Sequence, residues 1–198
     1  MKKVLIIAEA GVNHNGDIKT AEKLIDAAKD AGADYVKFQS FRAEKLVSKF
    51  AVKANYQQET TDSSESQFDM IKKLELSEQD HLVLKKYCKK KNIGFMSSPF
   101  DLDGIGYLDS LGVDLFKIPS GELTNLPYLR EFNKFKKPIV MSTGMATLDE
   151  VKAALTILDG ADVTVLHCNT EYPTPMEDVN LNAMSTMKHD LKCKIGYS

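Results

Sequence analysis

Cysteine is scarce in this chain of 198 residues: Cys88, Cys168 and Cys193 are the whole supply. Their number is odd and none stands at C-x-x-C spacing. That excludes a disulfide framework and a structural zinc site, and points to a reducing, cytoplasmic setting. Long apolar runs are missing too, since none reaches the roughly 18 residues of a membrane span. Met1 leads almost at once into a strand-like run, with no signal-peptide pattern and no cleavage site. Nor is there a surplus of either charge. With 26 Lys and Arg against 28 Asp and Glu, the formal net charge is −2, so no global field recruits nucleic acid or an anionic membrane. The run Lys89 to Lys91 reads as the solvated end of a helix, favoured by the helix dipole. Of the four histidines, His14 and His167 have no second ligand at a recognisable spacing. A lone histidine is more often a hydrogen-bonded structural residue than a ligand, so neither is assigned to a metal.

What the chain does have is repetition. Seven short apolar runs each end in polar, chemistry-capable side chains: Val4–Glu9, Tyr35–Ser40, Ile93–Ser98, Leu115–Ser120, Pro138–Thr143, Val163–Cys168 and Lys194–Ser198. Helical spacing separates most neighbours. Ala21, Leu24, Ile25, Ala28 and Ala31 stop at Gly32, and Leu82, Leu84, Tyr87 and Cys88 follow a Ser77–Asp80 capping box. Further on come Ile105, Leu108 and Leu111 before Gly112, then Leu126, Leu129 and Phe132. Val151, Ala154, Leu155 and Leu158 follow a Thr147–Glu150 box, and a last helix is expected near Leu181 to Leu191. This pattern predicts an α/β fold, a (β/α)8 TIM barrel of about seven βα units, incomplete as it stands, with one domain over residues 1–198. Gly32-x-Asp34-x-x-Lys37 and Gly112-x-Asp114-x-x-Lys117 repeat one helix-to-strand frame. The stretch from Phe41 to Asp69 breaks the rhythm and reads as a long loop of little regular structure, its polar middle Gln57–Gln67 mobile.

Reactive groups of such a fold gather at the C-terminal strand ends. Lys37 and Lys117 lie inside apolar runs, where a lysine is unfavourable unless it meets an anion or is itself a reactive amine. The alternatives are a lysine that reaches the rim or pairs with a carboxylate. Ser97, Ser98, Ser120, Ser142 and Thr143 add hydroxyls at strand ends, and Gly121 and Gly144 allow close backbone approach. Ammonium, hydroxyl and backbone N–H groups together suit a phosphate or a doubly anionic substrate. Glu9 and Glu122 are the rim carboxylates, free for chemistry or tied to a neighbouring lysine.

The segments IAEAGVNHNGD, GADYVKFQ, SSPFD, FKIPSGE, PIVMSTGM and HCNTEYPTPMEDVNL, in this order, resemble the sialic acid synthase family, which includes the bacterial legionaminate and pseudaminate synthases. The resemblance implies condensation of phosphoenolpyruvate with an N-acylated hexosamine, such as N-acetylmannosamine or a bacterial analogue, to a nine-carbon 2-keto sugar acid and phosphate. It implies phosphoenolpyruvate contacts from Lys37, Ser98, Lys117, Ser120, Ser142, Thr170 and Ser198. It places Glu9, Gln39, Phe100, Glu122 and Tyr172 toward the sugar, and gives catalytic roles to Glu9, Lys37, Lys117 and Glu122. A divalent metal, Mn2+ or Mg2+, is implied as Lewis acid in the full-length enzyme. Its ligands are expected beyond Ser198, together with the eighth strand and an antifreeze-like domain that completes a homodimer. Three rivals stand beside this reading: another phosphoenolpyruvate-dependent synthase of 3-deoxy-2-keto sugar acids, a Schiff-base aldolase using Lys37 or Lys117, and an inactive partial barrel that only binds anions.

Overall fold

Two glycines set the entry into the lysine-bearing strands. Helix α1 (Ile18–Asp30) is followed by Gly32 at φ +81°, and α5 (Leu102–Leu111) by Gly112 at φ +75°. Each glycine N–H returns to the carbonyl of Lys29 or Asp109, and the next N–H to that of Ala28 or Leu108. These are the paired 5→2 and 6→1 bonds of a Schellman stop, which needs a left-handed residue and so favours glycine. The repeated Gly-x-Asp-x-x-Lys frame is thus one helix stop used twice.

The computed structural model describes residues 4–51 and 66–198. They form two compact units, 1–104 and 105–198. The first contains β1 (Ile7–Gly11), α1, β2 (Tyr35–Ser40), α2 (Ala43–Leu46), α3 (Gln67–Lys72), α4 (Glu78–Lys91) and β3 (Gly94–Pro99). Its sheet is parallel, in the order β1-β2-β3. The boundary falls within α5, whose buried Ile105, Leu108 and Leu111 belong to the second unit. There β4 (Phe116–Ile118), α6 (Leu126–Phe135), β5 (Ile139–Ser142), α7 (Leu148–Ile157), β6 (Val163–His167), α8 (Asn182–Leu191) and β7 (Lys194–Tyr197) follow. That sheet is also parallel, in the order β4-β5-β6-β7. The protein is therefore an α/β protein with parallel sheets, and among the described residues each predicted run overlaps one of seven strands. No helix among those residues is long and apolar enough to cross a membrane.

Register sorts the side chains into two faces. In the first sheet Val36, Phe38, Phe95 and Ser97 lie on the face that carries α1 and α4, with Phe38 and Phe95 stacked at 5.9 Å. Ala21, Ile25 and Ala28 of α1 and Leu84 and Cys88 of α4 are buried. In the second sheet Phe116 packs on Phe132 of α6 at 5.0 Å, and Phe132 on Tyr128 at the same distance. The opposite faces carry Glu9, Lys37, Gln39 and Ser98 in one unit, and Lys117 and Ser142 in the other.

Several expectations need correction. The stretch from Phe41 to Asp69 contains α2 and the start of α3, the latter capped by Ser66 through Asp69 N–H. The stretch expected to be mobile, Gln57–Gln67, lies outside the described residues as far as position 65. Val4, Leu5 and Ile6 are exposed and precede β1. Leu82 and Leu126, expected in the core, are exposed, while His81 and Tyr128 take buried positions. In α4 the buried residues are 81, 84 and 88, a single helical stripe that polarity had hidden at His81. Both capping boxes form as expected.

Candidate functional site

Lys117 is the best-defined anion-binding candidate. It sits in β4 and is 7% exposed. Its Nζ donates to the Ile118 carbonyl at 2.8 Å and to Ser142 Oγ at 2.7 Å. The two come together because β4 and β5 pair in parallel with Lys117 beside Val140, one step before Ser142 on the same face. A second cluster follows the strand ends. Ser120 begins a 3-10 turn (Ser120–Glu122), and its Oγ accepts the Gly144 N–H at 2.9 Å. Cys168 Sγ lies 3.5 Å from the same oxygen. At Gly144 an added Cβ would stand 2.7 Å from Thr170 Cγ2 and 3.0 Å from Ser120 Oγ, so a side chain there would force those groups to shift. The fold of this unit thus brings Lys117 to Ser142, and Ser120 and Thr170 to Gly144. Cys168 belongs with them and was not assigned; its place at the end of the Val163–Cys168 run was the available signal. A Cβ at Gly121 would meet nothing within 4 Å among the described residues.

The remaining candidates of this unit are more open. Glu122 accepts from Asn125 Nδ2 at 2.7 Å. Tyr172 is 84% exposed and precedes a cis proline peptide. Ser198 is tied by its N–H to the His167 carbonyl at 3.0 Å. Thr143 turns its hydroxyl to the Leu166 carbonyl at 2.8 Å, a backbone brace between β5 and β6.

In the first unit Glu9 stands directly opposite Lys37, and the two form an ion pair. Of the alternatives open for Glu9, pairing with a lysine is the one observed. Gln39 and Ser98 are register neighbours on the same face. Phe100 follows β3 and meets Phe41 edge-on at 6.3 Å.

Ser97 is not a site hydroxyl. It points to the helix-bearing face, and its Oγ bonds Ser40 Oγ at 2.6 Å, which in turn bonds His81 Nε2 at 2.7 Å. His81 Nδ1 lies 2.8 Å from the Ser77 carbonyl. A carbonyl only accepts, so Nδ1 carries the hydrogen, and in the neutral ring Nε2 accepts from Ser40. Burial holds the His81 pKa below its ordinary value, against smaller opposite effects of the Ser77 bond, Asp80 and Glu78. His14 is fully buried, and its Nδ1 accepts the Gly16 N–H at 3.0 Å. Its pKa is lowered by burial and then by His81, with Asp80 opposing. His14 Nε2 and His167 Nε2 find no hydrogen-bond partner among the described residues, so the expectation of hydrogen-bonded structural histidines is met at only one nitrogen of His14. Burial pushes the Cys88 thiol up to about 12. No group of three or more His, Cys, Asp or Glu side chains among the described residues is arranged to hold a metal ion. The implied divalent metal therefore does not fit these residues alone.

Lysine and serine side chains thus gather on one face of each parallel sheet of this α/β protein, joined in the first by Glu9. The chain belongs to the NeuB family, whose model matches residues 24–198. It is 54% identical to the N,N'-diacetyllegionaminic acid synthase of Campylobacter jejuni, over 100% of this chain and 61% of that protein. The synthase of the same name from Legionella pneumophila is 46% identical, over 98% of this chain and 56% of the relative. Among solved structures, the N-acetylneuraminic acid synthetase of Leptospira borgpetersenii, in complex with citrate, superposes with a TM-score of 0.85 at 32% identity. The match covers 99% of this chain and 65% of that one. The chain thus spans about half to two thirds of the proteins it matches.

Proposed function

We propose that the whole protein condenses phosphoenolpyruvate with an N-acylated hexosamine, giving a nine-carbon 2-keto sugar acid and phosphate. The observation that carries this reading is the buried Lys117 ammonium set against Ser142 Oγ, in a chain of the NeuB family. Phosphoenolpyruvate brings a phosphate and a carboxylate, and the lysine and hydroxyl groups supply charge and donors for such a ligand. Lys37, Ser98, Lys117, Ser120, Ser142, Thr170 and Ser198 are the proposed contacts for it. Glu9, Gln39, Phe100, Glu122 and Tyr172 are proposed to face the sugar. The names of the two bacterial relatives favour an acceptor with two acetamido groups. Carbon–carbon condensation leaves such groups untouched, so both would arrive on the six-carbon partner. N-acetylmannosamine is the second acceptor to try.

The finer features of the whole protein are proposed on the same resemblance: a (β/α)8 barrel, a phosphoenolpyruvate-binding catalytic domain over 1–198, an antifreeze-like domain, a divalent metal and a cytoplasmic homodimer. No step is derived through the metal. The test is incubation of the intact protein with phosphoenolpyruvate labelled with 18O at the bridging oxygen, with each acceptor in turn. Condensation with C–O cleavage leaves the label in inorganic phosphate and gives a nine-carbon acid by mass spectrometry. Consumption only with a phosphorylated sugar would favour the 3-deoxy-2-keto acid phosphate synthases. Borohydride trapping on Lys37 or Lys117 without phosphoenolpyruvate would favour the Schiff-base aldolase.

A further inference from the structure

We infer that Glu9 is an internal counter-ion of Lys37 which the anionic substrate displaces, so that anion binding is what releases Glu9 for the sugar. The inference rests on the phosphoenolpyruvate reading of the site. Glu9 and Lys37 are register partners on neighbouring parallel strands and are joined as an ion pair. The pair is uneven: the lysine side chain is 13% exposed and the glutamate 52%. The ammonium is held by its strand, while the carboxylate lies on the open side, where an incoming anion meets it first. The β1–β2 register shifts between Glu9 and Gly11, and such a bulge re-aims the side chains beside it. A Cβ at Gly11 would come within 3.1 Å of Glu9 Oε1 and 3.7 Å of Gln39 Nε2. Glycine here leaves room for the carboxylate beside the Gln39 amide, on the face that Lys37 and Gln39 share.

An anion that takes Lys37 meets a like charge in Glu9. The two cannot hold one ammonium at the cost of one, so the carboxylate gives way. Coupling of this kind is reciprocal. Whatever needs Glu9 unpaired, such as a sugar hydroxyl donating to it, binds better once the anion is in place. Glu9 thereby sets the order of addition, anion before sugar, besides any contact it makes with the acceptor.

The experiment is calorimetric titration of the intact protein with phosphoenolpyruvate alone. Glu9→Gln keeps the side chain's shape and removes the competing charge. It is expected to tighten phosphoenolpyruvate binding about twofold to fivefold, the range of a partly exposed ion pair. Glu9→Ala should change affinity in the same direction, which guards against an adverse contact of the new amide. In a Lys37→Met background the gain from Glu9→Gln should shrink to the part that like-charge repulsion alone supplies, because the counter-ion part needs both residues. A purely structural Glu9 would give unchanged or weaker binding in both variants, and that result overturns the inference. Failure of the unsubstituted protein to bind phosphoenolpyruvate would instead overturn the functional reading beneath it.

Discussion

Replacing Lys117 by methionine isolates the charge at the centre of the second-unit cluster. Methionine has nearly the length of the lysine stem, so the packing of a side chain that is 7% exposed is largely kept. What is lost is an ammonium bonded to the Ile118 carbonyl and Ser142 Oγ. For folding, two charge-assisted bonds disappear, but so does the cost of holding a charge away from water. These terms oppose each other at a few kcal/mol each, so the change in stability should be small. For binding there is no such offset, because the ligand's anion then enters a site that has lost its charge partner. Truncating one partner of a desolvated pair costs roughly 2–4 kcal/mol, or about a 30- to 700-fold loss of phosphoenolpyruvate affinity. Calorimetry and thermal denaturation of the same samples separate the two effects. Equal phosphoenolpyruvate affinity in the variant and the parent, with both folded, would refute the assignment of Lys117 to the anion.

Gly144→Ala should weaken phosphoenolpyruvate binding through Ser120 and Thr170, which a new Cβ would crowd, and overpacking should cost about 1–3 kcal/mol of stability in chemical denaturation. Ser40→Ala should destabilise by about 1–3 kcal/mol, since it strands Ser97 and His81 in the interior; phosphoenolpyruvate affinity, measured alongside, should hold. His14 and His81 have folded pKa values below the ordinary 6.5. Their stabilising effect is therefore complete above about pH 6.5 and is lost as pH falls through the lower folded values. A thermal midpoint that falls between pH 7 and pH 5, with a shallower slope in His81→Asn, is the expected record. Cys88, with a pKa of about 12, should resist alkylation by iodoacetamide in the native state and react on unfolding, as peptide mass spectrometry would show.

Much of this protein was legible without coordinates. Gly32 and Gly112 announce helix stops because only a residue at ease in the left-handed region closes a Schellman motif. Ser77–Asp80 and Thr147–Glu150 announce helix starts because each side chain satisfies the other's backbone N–H. The alternation of a strand puts Lys37 and Gln39 on one face, and the same rule parts Ser97 from Ser98. Family membership, too, was carried by local segments such as FKIPSGE and SSPFD.

Other features depend on which segments meet. Ser40 and His81 are 41 residues apart and Ser40 and Ser97 are 57 apart; nothing local says that these three form one buried chain of hydrogen bonds. Leu82 looked like core, and only the packing of α4 on α1 and β3 turned His81 inward in its place. Glu9 could have served the rim chemistry or a lysine, and the β1–β2 register settled it in this structure. Gly144 is crowded by Thr170 and Ser120, neither of them near it in sequence. Local sequence determined backbone geometry here because capping, turns and alternation are short-range physics. The tertiary structure alone decided which polar groups share a proton, a charge or a space, because that depends on strand register and helix docking summed over the whole chain.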